Sequence, residues 1–182
     1  QKLLLLSLFI SGVLISQETM HIDFDETNPG VVMNSWDSSA SFAKIANPDI
    51  SSENPSNFVG QFTSGNNNGI GIGVIDPTTI FTTPFDLSSL SYFKMKVWSS
   101  EEIDVTFHIE NSPDWGNYIE KTESIGSDQL NQWVELTFDF SAEINIFMNN
   151  IVILIGGDNT EEGDNYYFDD IIGPPLYNFA AY

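Results

Sequence analysis

The chain has 182 residues and carries 26 acids against five lysines and no arginine, for a formal charge of −21. Such a surface repels nucleic acid and anionic lipid, which argues against both as partners, and it suits neutral or cationic sugars and divalent cations. Hydrophobic residues at 41% and aromatics at 13% are enough to build one ordinary domain with a core. There is no cysteine, so disulfides and thiolate metal sites are excluded, and the two histidines, His21 and His108, are too few for a multi-histidine centre.

Residues 1–16 (QKLLLLSLFISGVLIS) are an apolar run behind one lysine. The run is shorter than the about 20 residues a membrane span needs. It reads as a secretory signal peptide cleaved before Gln17, which implies a secreted or cell-surface protein with no membrane insertion after cleavage.

Short β-prone runs follow, separated by Gly, Pro, Asn and Ser turns. Met20–Asp25 alternates, with Met20, Ile22 and Phe24 on one side and His21, Asp23 and Asp25 on the other. Val31–Trp36, Ser41–Ala46, Phe58–Phe62 and the glycine-alternating Gly69–Ile75 come next. Over Tyr92–Trp98, the residues Phe93, Met95 and Val97 oppose Lys94, Lys96 and Trp98. Over Asp104–Glu110, Val105, Phe107 and Ile109 oppose Thr106, His108 and Glu110. Trp133–Phe140, the fully apolar Ile151–Ile155 and Tyr166–Ile172 complete a set of about ten strands with no convincing helical period, which predicts an antiparallel β-sandwich over 17–172. Gly173-Pro-Pro-Leu176 reads as the start of a linker, so 173–182 is expected to be a linker or truncated tail of a longer protein with other domains.

The last strand holds the most informative pair, Asp169-Asp170 inside Tyr-Tyr-Phe-Asp-Asp-Ile-Ile. Strict alternation sends the two carboxylates to opposite faces, one outward into water and one inward. An inward carboxylate is expensive unless a cation or hydrogen-bond donors meet it. With lysine scarce, a hard ion such as calcium is the expected partner.

Four stretches in this order, Ile22-Asp-Phe-Asp25, Ala46-Asn-Pro-Asp49, Phe93–Trp98 with Asn131–Ser141, and the closing Tyr-Tyr-Phe-Asp-Asp-Ile, resemble the jelly-roll, galactose-binding-like carbohydrate-binding modules of secreted bacterial polysaccharide-degrading proteins. The resemblance implies an all-β jelly roll, attachment to a glycoside hydrolase, and a structural calcium between a first-strand acid (Asp25 or Asp23) and Asp169 or Asp170. A second likeness, of Glu102-Ile-Asp104 to the catalytic strand of glycoside hydrolase family sixteen, breaks at the chemistry. Retaining glycosidases need two carboxylates about 5 Å apart, and Thr106 and Phe107 stand where the second is required.

Sugar binding fits better, because flat aromatic rings stack on sugar faces while polar side chains take the hydroxyls. Trp98 is expected to point outward and, if its strand pairs with the next, to stand beside His108 and Glu110. Trp115 and Tyr118, in the polar stretch Asn111–Tyr118, should return near that sheet's end. Trp36 lies in a Ser/Asp-rich turn, and Trp133 is expected in the core. The acidic turn Glu161–Asp164 reads as solvated. The sequence thus points to a secreted, non-catalytic module for neutral or cationic polysaccharide with a structural calcium. The alternatives are an adhesive or structural surface module of the same fold and, less well supported, a hydrolase.

Overall fold

The computed structural model describes residues 19–25, 33–35, 39–65, 71–74, 83–111, 114–156 and 161–177. Their elements are β1 (Met20–Ile22), β2 (Met33–Ser35), β3 (Ser41–Ala46), β4 (Phe58–Thr63), β5 (Gly71–Val74), β6 (Tyr92–Trp98), β7 (Ile103–Asn111), β8 (Asp114–Ile125), β9 (Trp133–Asp139), β10 (Asn150–Gly156) and β11 (Asn165–Gly173), with one short 3-10 turn at Ser141–Glu143. One antiparallel sheet runs β3-β4-β11-β6-β9, and β1 also pairs with β11; the other runs β2-β5-β10-β7-β8. The all-β sandwich expected from the alternation is therefore the fold.

The inner faces are the ones the pattern marks. Phe93, Met95 and Val97 of β6 meet Val105, Phe107 and Ile109 of β7 across the sandwich, all fully buried. Phe93 stacks on Phe107 with centroids 4.6 Å apart, and Phe138 and Phe140 close around this pair. A second aromatic group, Phe24, Phe42 and Phe168, fills the far end. Each such ring contributes roughly 1.5–3 kcal/mol of burial.

β8 was not legible as a strand. The sequence reading treats Asn111–Tyr118 as a loop, whereas β7 and β8 form one long hairpin around residues 112–113. Its inward register positions are Ile119, Lys121, Glu123 and Ile125, opposite Ile109, Phe107, Val105 and Ile103. Charges at two of those four places erase the period-two signal, and charge on an edge strand discourages pairing with another chain. Lys121 still finds partners there, Glu143 at 3.0 Å and the Phe140 ring.

The presumed linker start is also part of the domain. Pro174 and Pro175 are buried, Asp86 N donates to Pro175 O at 2.7 Å, Tyr177 N donates to Pro84 O at 2.8 Å, and Leu176 bridges Phe85. The chain therefore stays on the sandwich through Tyr177; residues 178–182 and the 1–16 segment lie outside the described residues.

Gly173 closes β11 against the core. A Cβ there would come within 2.4 Å of the Phe93 ring and 2.9 Å of Met20 Cε. Gly173→Ala is expected to destabilise the fold by about 1–3 kcal/mol, the usual range for overpacking. A lower urea midpoint at unchanged slope would report it.

Candidate functional site

The two sheets turn different outer faces to their surroundings. The face of β4, β11, β6 and β9 is covered by the loop 47–57, which is stapled to itself. Asn47 N donates to Asn57 O at 2.8 Å, and the buried Asn47 side chain donates to Ser56 O at 2.9 Å and accepts from Asp49 N at 2.9 Å. The loop is anchored through Asp49: Trp98 Nε1 donates to its Oδ2 at 3.2 Å, and Trp133 Nε1 donates to its backbone O at 2.8 Å. Trp133, Trp98 and Tyr167 stand in register across β9, β6 and β11, and the last two rings meet edge-on at 5.4 Å. Trp98 does lie on the outward side with Lys94 and Lys96, as expected. It is a half-buried clamp for the loop rather than a displayed ring. Trp133 is buried, but under the loop and outside the sandwich core.

Beneath the same loop lies Asp169, which is 0% exposed with neither carboxylate oxygen hydrogen-bonded. The expectation that Asp169 and Asp170 face opposite ways fails, because β11 carries a bulge at this point. Asp169 pairs with Lys96 and Ile172 with Lys94, so Asp170 and Ile171 together oppose Met95. Asp170 takes up the extra residue with φ of 47°, in the left-handed region. The bulge turns both carboxylates to the outer face. It falls where the neighbour of β11 changes from β4 to β1.

The two aspartates then diverge. Asp170 has protein partners after all, Lys96 Nζ at 2.7 Å and His21 Nε2 at 2.9 Å. Burial would raise its carboxyl, but these hydrogen bonds outweigh it and hold Asp170 below the usual carboxylate range. Burial pushes Asp169 above that range, the charge of Asp170 adds to the rise, and nearby Ser56 and Asn54 offset it only in part. Of the first-strand acids, Asp23 comes together with His21 and Asp170, all three ligand atoms within 4.8 Å of one another. Asp25 is a backbone clip instead: its Oδ1 accepts from Asn57 N and Phe58 N, each at 2.8 Å, and fastens the start of β4.

The outer face of the second sheet is exposed along β8 and partly exposed along β7, while β10 beside them is largely buried on this side too. Outward positions pair as Asp104 with Ser124, Thr106 with Thr122, His108 with Glu120, and Glu110 with Tyr118, and Gly156, Leu154, Val152 and Asn150 run alongside on β10. Trp98 therefore cannot share a groove with His108 and Glu110; β6 and β7 belong to different sheets and present these side chains on opposite sides of the sandwich. The condition for that groove, pairing of β6 with the next strand, is not met, because the chain crosses between layers at Ser99–Glu102. Trp115 sits on the β8 backbone in the His108 sheet, its ring outside the described residues, as is Trp36.

On this face the polar groups form one chain. Asn150 Nδ2 donates to Glu110 Oε1 at 2.7 Å, Glu110 Oε2 lies 3.1 Å from His108 Nε2, and His108 Nδ1 lies 2.9 Å from Glu120 Oε1. Tyr118, 51% exposed, stacks on the His108 ring at 4.6 Å and 16°. At the other end of the face is a cavity of about 790 Å³ lined by Glu102, Asp104, Thr106, Thr122, Ser124 and Asp128 among others. Sequence reading found His108, Glu110 and Tyr118 but missed Asn150, Glu120 and Thr122. Nothing in β8 or at the start of β10 marks a face until the register is known.

No family model matches the chain, and no curated protein matches it. Solved structures do. The xylan-binding domain CBM22-1 of Xyn10C from Paenibacillus barcinonensis is 12% identical with a TM-score of 0.52, over 89% of this chain and 97% of that one. A variant of the CBM29-2 carbohydrate-binding module is 9% identical with a TM-score of 0.53, over 87% and 91%. The arabinose-bound α-L-arabinofuranosidase MgGH51 is 14% identical with a TM-score of 0.55, over 85% of this chain but only 25% of that enzyme. The chain has the β-sandwich fold of these carbohydrate-binding modules.

Proposed function

We propose that this chain is a non-catalytic polysaccharide-binding module, exported by its leading apolar segment and working beside other domains of a longer protein. The observation that carries the reading is the exposed face of β7 and β8. There an exposed tyrosine ring is held rigid on His108, next to a pre-formed line of carboxylate, imidazole, amide and hydroxyl groups. A ring held in place loses little entropy when a sugar stacks on it. The fold shared with a xylan-binding domain supports the same reading. Phe107 is core and Thr106 stands on the outer face, so neither supplies the second carboxylate that glycoside hydrolysis would need in this strand.

Binding should run through Tyr118 and not through Trp98. Tyr118→Ala is expected to remove about 1.5–3 kcal/mol of contact, which weakens polysaccharide binding roughly tenfold or more, with the fold intact. Trp98→Ala should lower the melting temperature by loosening the loop 47–57 and leave the dissociation constant near that of the parent. Affinity electrophoresis against a polysaccharide panel, with thermal melts, checks both; the reverse pattern would place the site on the other sheet.

The module also holds a structural calcium, on this reading at Asp169. A buried carboxylate with neither oxygen paired fits a hard cation; the side chains of Ser56 and Asn54 on the loop act on it as hydrogen-bond donors and offset its burial only in part. Asp169 would hold the ion, which would supply the missing counter-charge beneath the loop. Asp170 is already matched by Lys96. Calcium at a hundredfold excess over its dissociation constant should add about 2.7 kcal/mol to stability. In chelator, Asp169→Asn should stabilise the fold by about 1–3 kcal/mol at neutral pH by removing an unsatisfied buried charge, and it should abolish the calcium response. The sign with pH follows from the raised carboxyl. Without the ion, its contribution to stability is full below the ordinary carboxylate range and is lost as pH rises through the raised value. A melting curve indifferent to calcium and chelator would refute the site.

A further inference from the structure

Glu110 is a buried carboxylate of the second sheet, and a buried carboxylate is costly without a counter-charge close by. Its Oε1 accepts from Asn150 Nδ2 at 2.7 Å, and its Oε2 faces His108 Nε2 at 3.1 Å. No described lysine serves it. Lys44, Lys94 and Lys96 lie in the other sheet, and Lys121 turns to the opposite side, where it meets Glu143. His108 is the group that can bring the charge.

His108 meets a second carboxylate at its other nitrogen, since Nδ1 lies 2.9 Å from Glu120 Oε1. An ionised carboxylate only accepts, and a neutral imidazole donates from one nitrogen alone. Both contacts are hydrogen bonds only when both nitrogens carry a proton, so the arrangement is complete with the imidazolium. Its other neighbours on this face are neutral: Val152 opposite it on β10 with Asn150 and Leu154 on either side, and Thr106 and Thr122 on β7 and β8. Among the described residues, the charged groups facing it are therefore Glu110 and Glu120. Tyr118 stands opposite Glu110 in the register and leans diagonally onto the His108 ring, at 4.6 Å and 16°. A cation against the face of a tyrosine adds attraction to the stacking.

Resting on the sugar-binding reading above, we infer that His108 is the positioning residue of the Tyr118 ring and acts through its charge. Protonated, it spans Glu110 and Glu120 and holds the tyrosine flat for a sugar. Neutral, it keeps one N–H. The buried Glu110 retains that donor, and Glu120, 43% exposed, turns out to water. The Nδ1 edge is then unheld, the cation is gone from the tyrosine face, and Tyr118 loosens. Sugar binding on this face is strongest while the imidazole is charged and weakens as rising pH takes its proton. Histidine is the side chain whose charge ordinarily changes between about pH 5 and 8.

The test follows both rings by NMR in the full chain, in a His21→Gln background that leaves His108 as the one histidine. Between about pH 5 and 8 the His108 Cε1 proton and the Tyr118 ring protons should move together with one midpoint. In Glu120→Gln, which leaves the buried Glu110 in place, that common midpoint should fall. In His108→Gln the Tyr118 signals should stay flat with pH. Calorimetric titration with xylohexaose and cellohexaose should lose about fivefold in affinity across the midpoint, equivalent to about 1 kcal/mol, the size of an exposed cation–π contact. His108→Gln should bind as weakly at low pH as the parent does at high pH. A His108 that keeps one charge state over the range, a Tyr118 ring indifferent to it, or an affinity flat across the midpoint overturns the inference. If the rings titrate together and neither oligomer binds at any pH, the positioning by His108 stands and the sugar-binding reading is the one that fails.

Discussion

A carboxylate buried with no counter-charge and neither oxygen paired, Asp169, is the constraint around which one half of this molecule is arranged. It can stand there only because β11 bulges. The left-handed Asp170 turns both acids to the same side of the sheet, and the loop 47–57 closes over the inner one. The loop in turn depends on Asp49, which receives the indole donors of Trp98 and Trp133. Aromatic row, loop and bulge form one assembly whose electrostatic account is open by one positive charge. Lys96 and His21 satisfy Asp170 and leave Asp169 untouched, so the deficit is local and does not spread over the acidic surface.

The sandwich consequently divides its labour between two outer faces. One serves stability: its tryptophans are hydrogen-bonded, Trp133 buried and Trp98 half covered, and a ring occupied in that way is poorly placed to stack on anything else. The other is exposed along β8, has its polar side chains already fixed in a line from the buried Asn150 to Glu120, and presents Tyr118 on top of His108. Rigid donors, acceptors and a rigid ring reduce the ordering cost of binding. That asymmetry is why the reading of function follows the His108 face.

Alternation of apolar and polar residues determined a good deal without any structure: the all-β class, the inner faces of β6 and β7, the burial of β10 on both sides, and the outward direction of Trp98 and of His108. These follow from the period of two, a property of each strand alone. β8 was invisible for the same reason, since Lys121 and Glu123 occupy positions that would otherwise carry the signal, and an edge strand tolerates them. Asp169 and Asp170 could be recognised as an expensive pair from composition, because lysine is scarce and arginine absent. Only the tertiary structure decided which strands share a sheet, and so it separated Trp98 from His108, joined Asn150 and Glu120 to that histidine, and pressed 173–177 onto the core. It also decided that one bulged residue overrides the alternation between two aspartates. Register, layer and bulge are set by contacts between segments far apart in the chain, 149 residues for His21 and Asp170, and no local pattern carries that information.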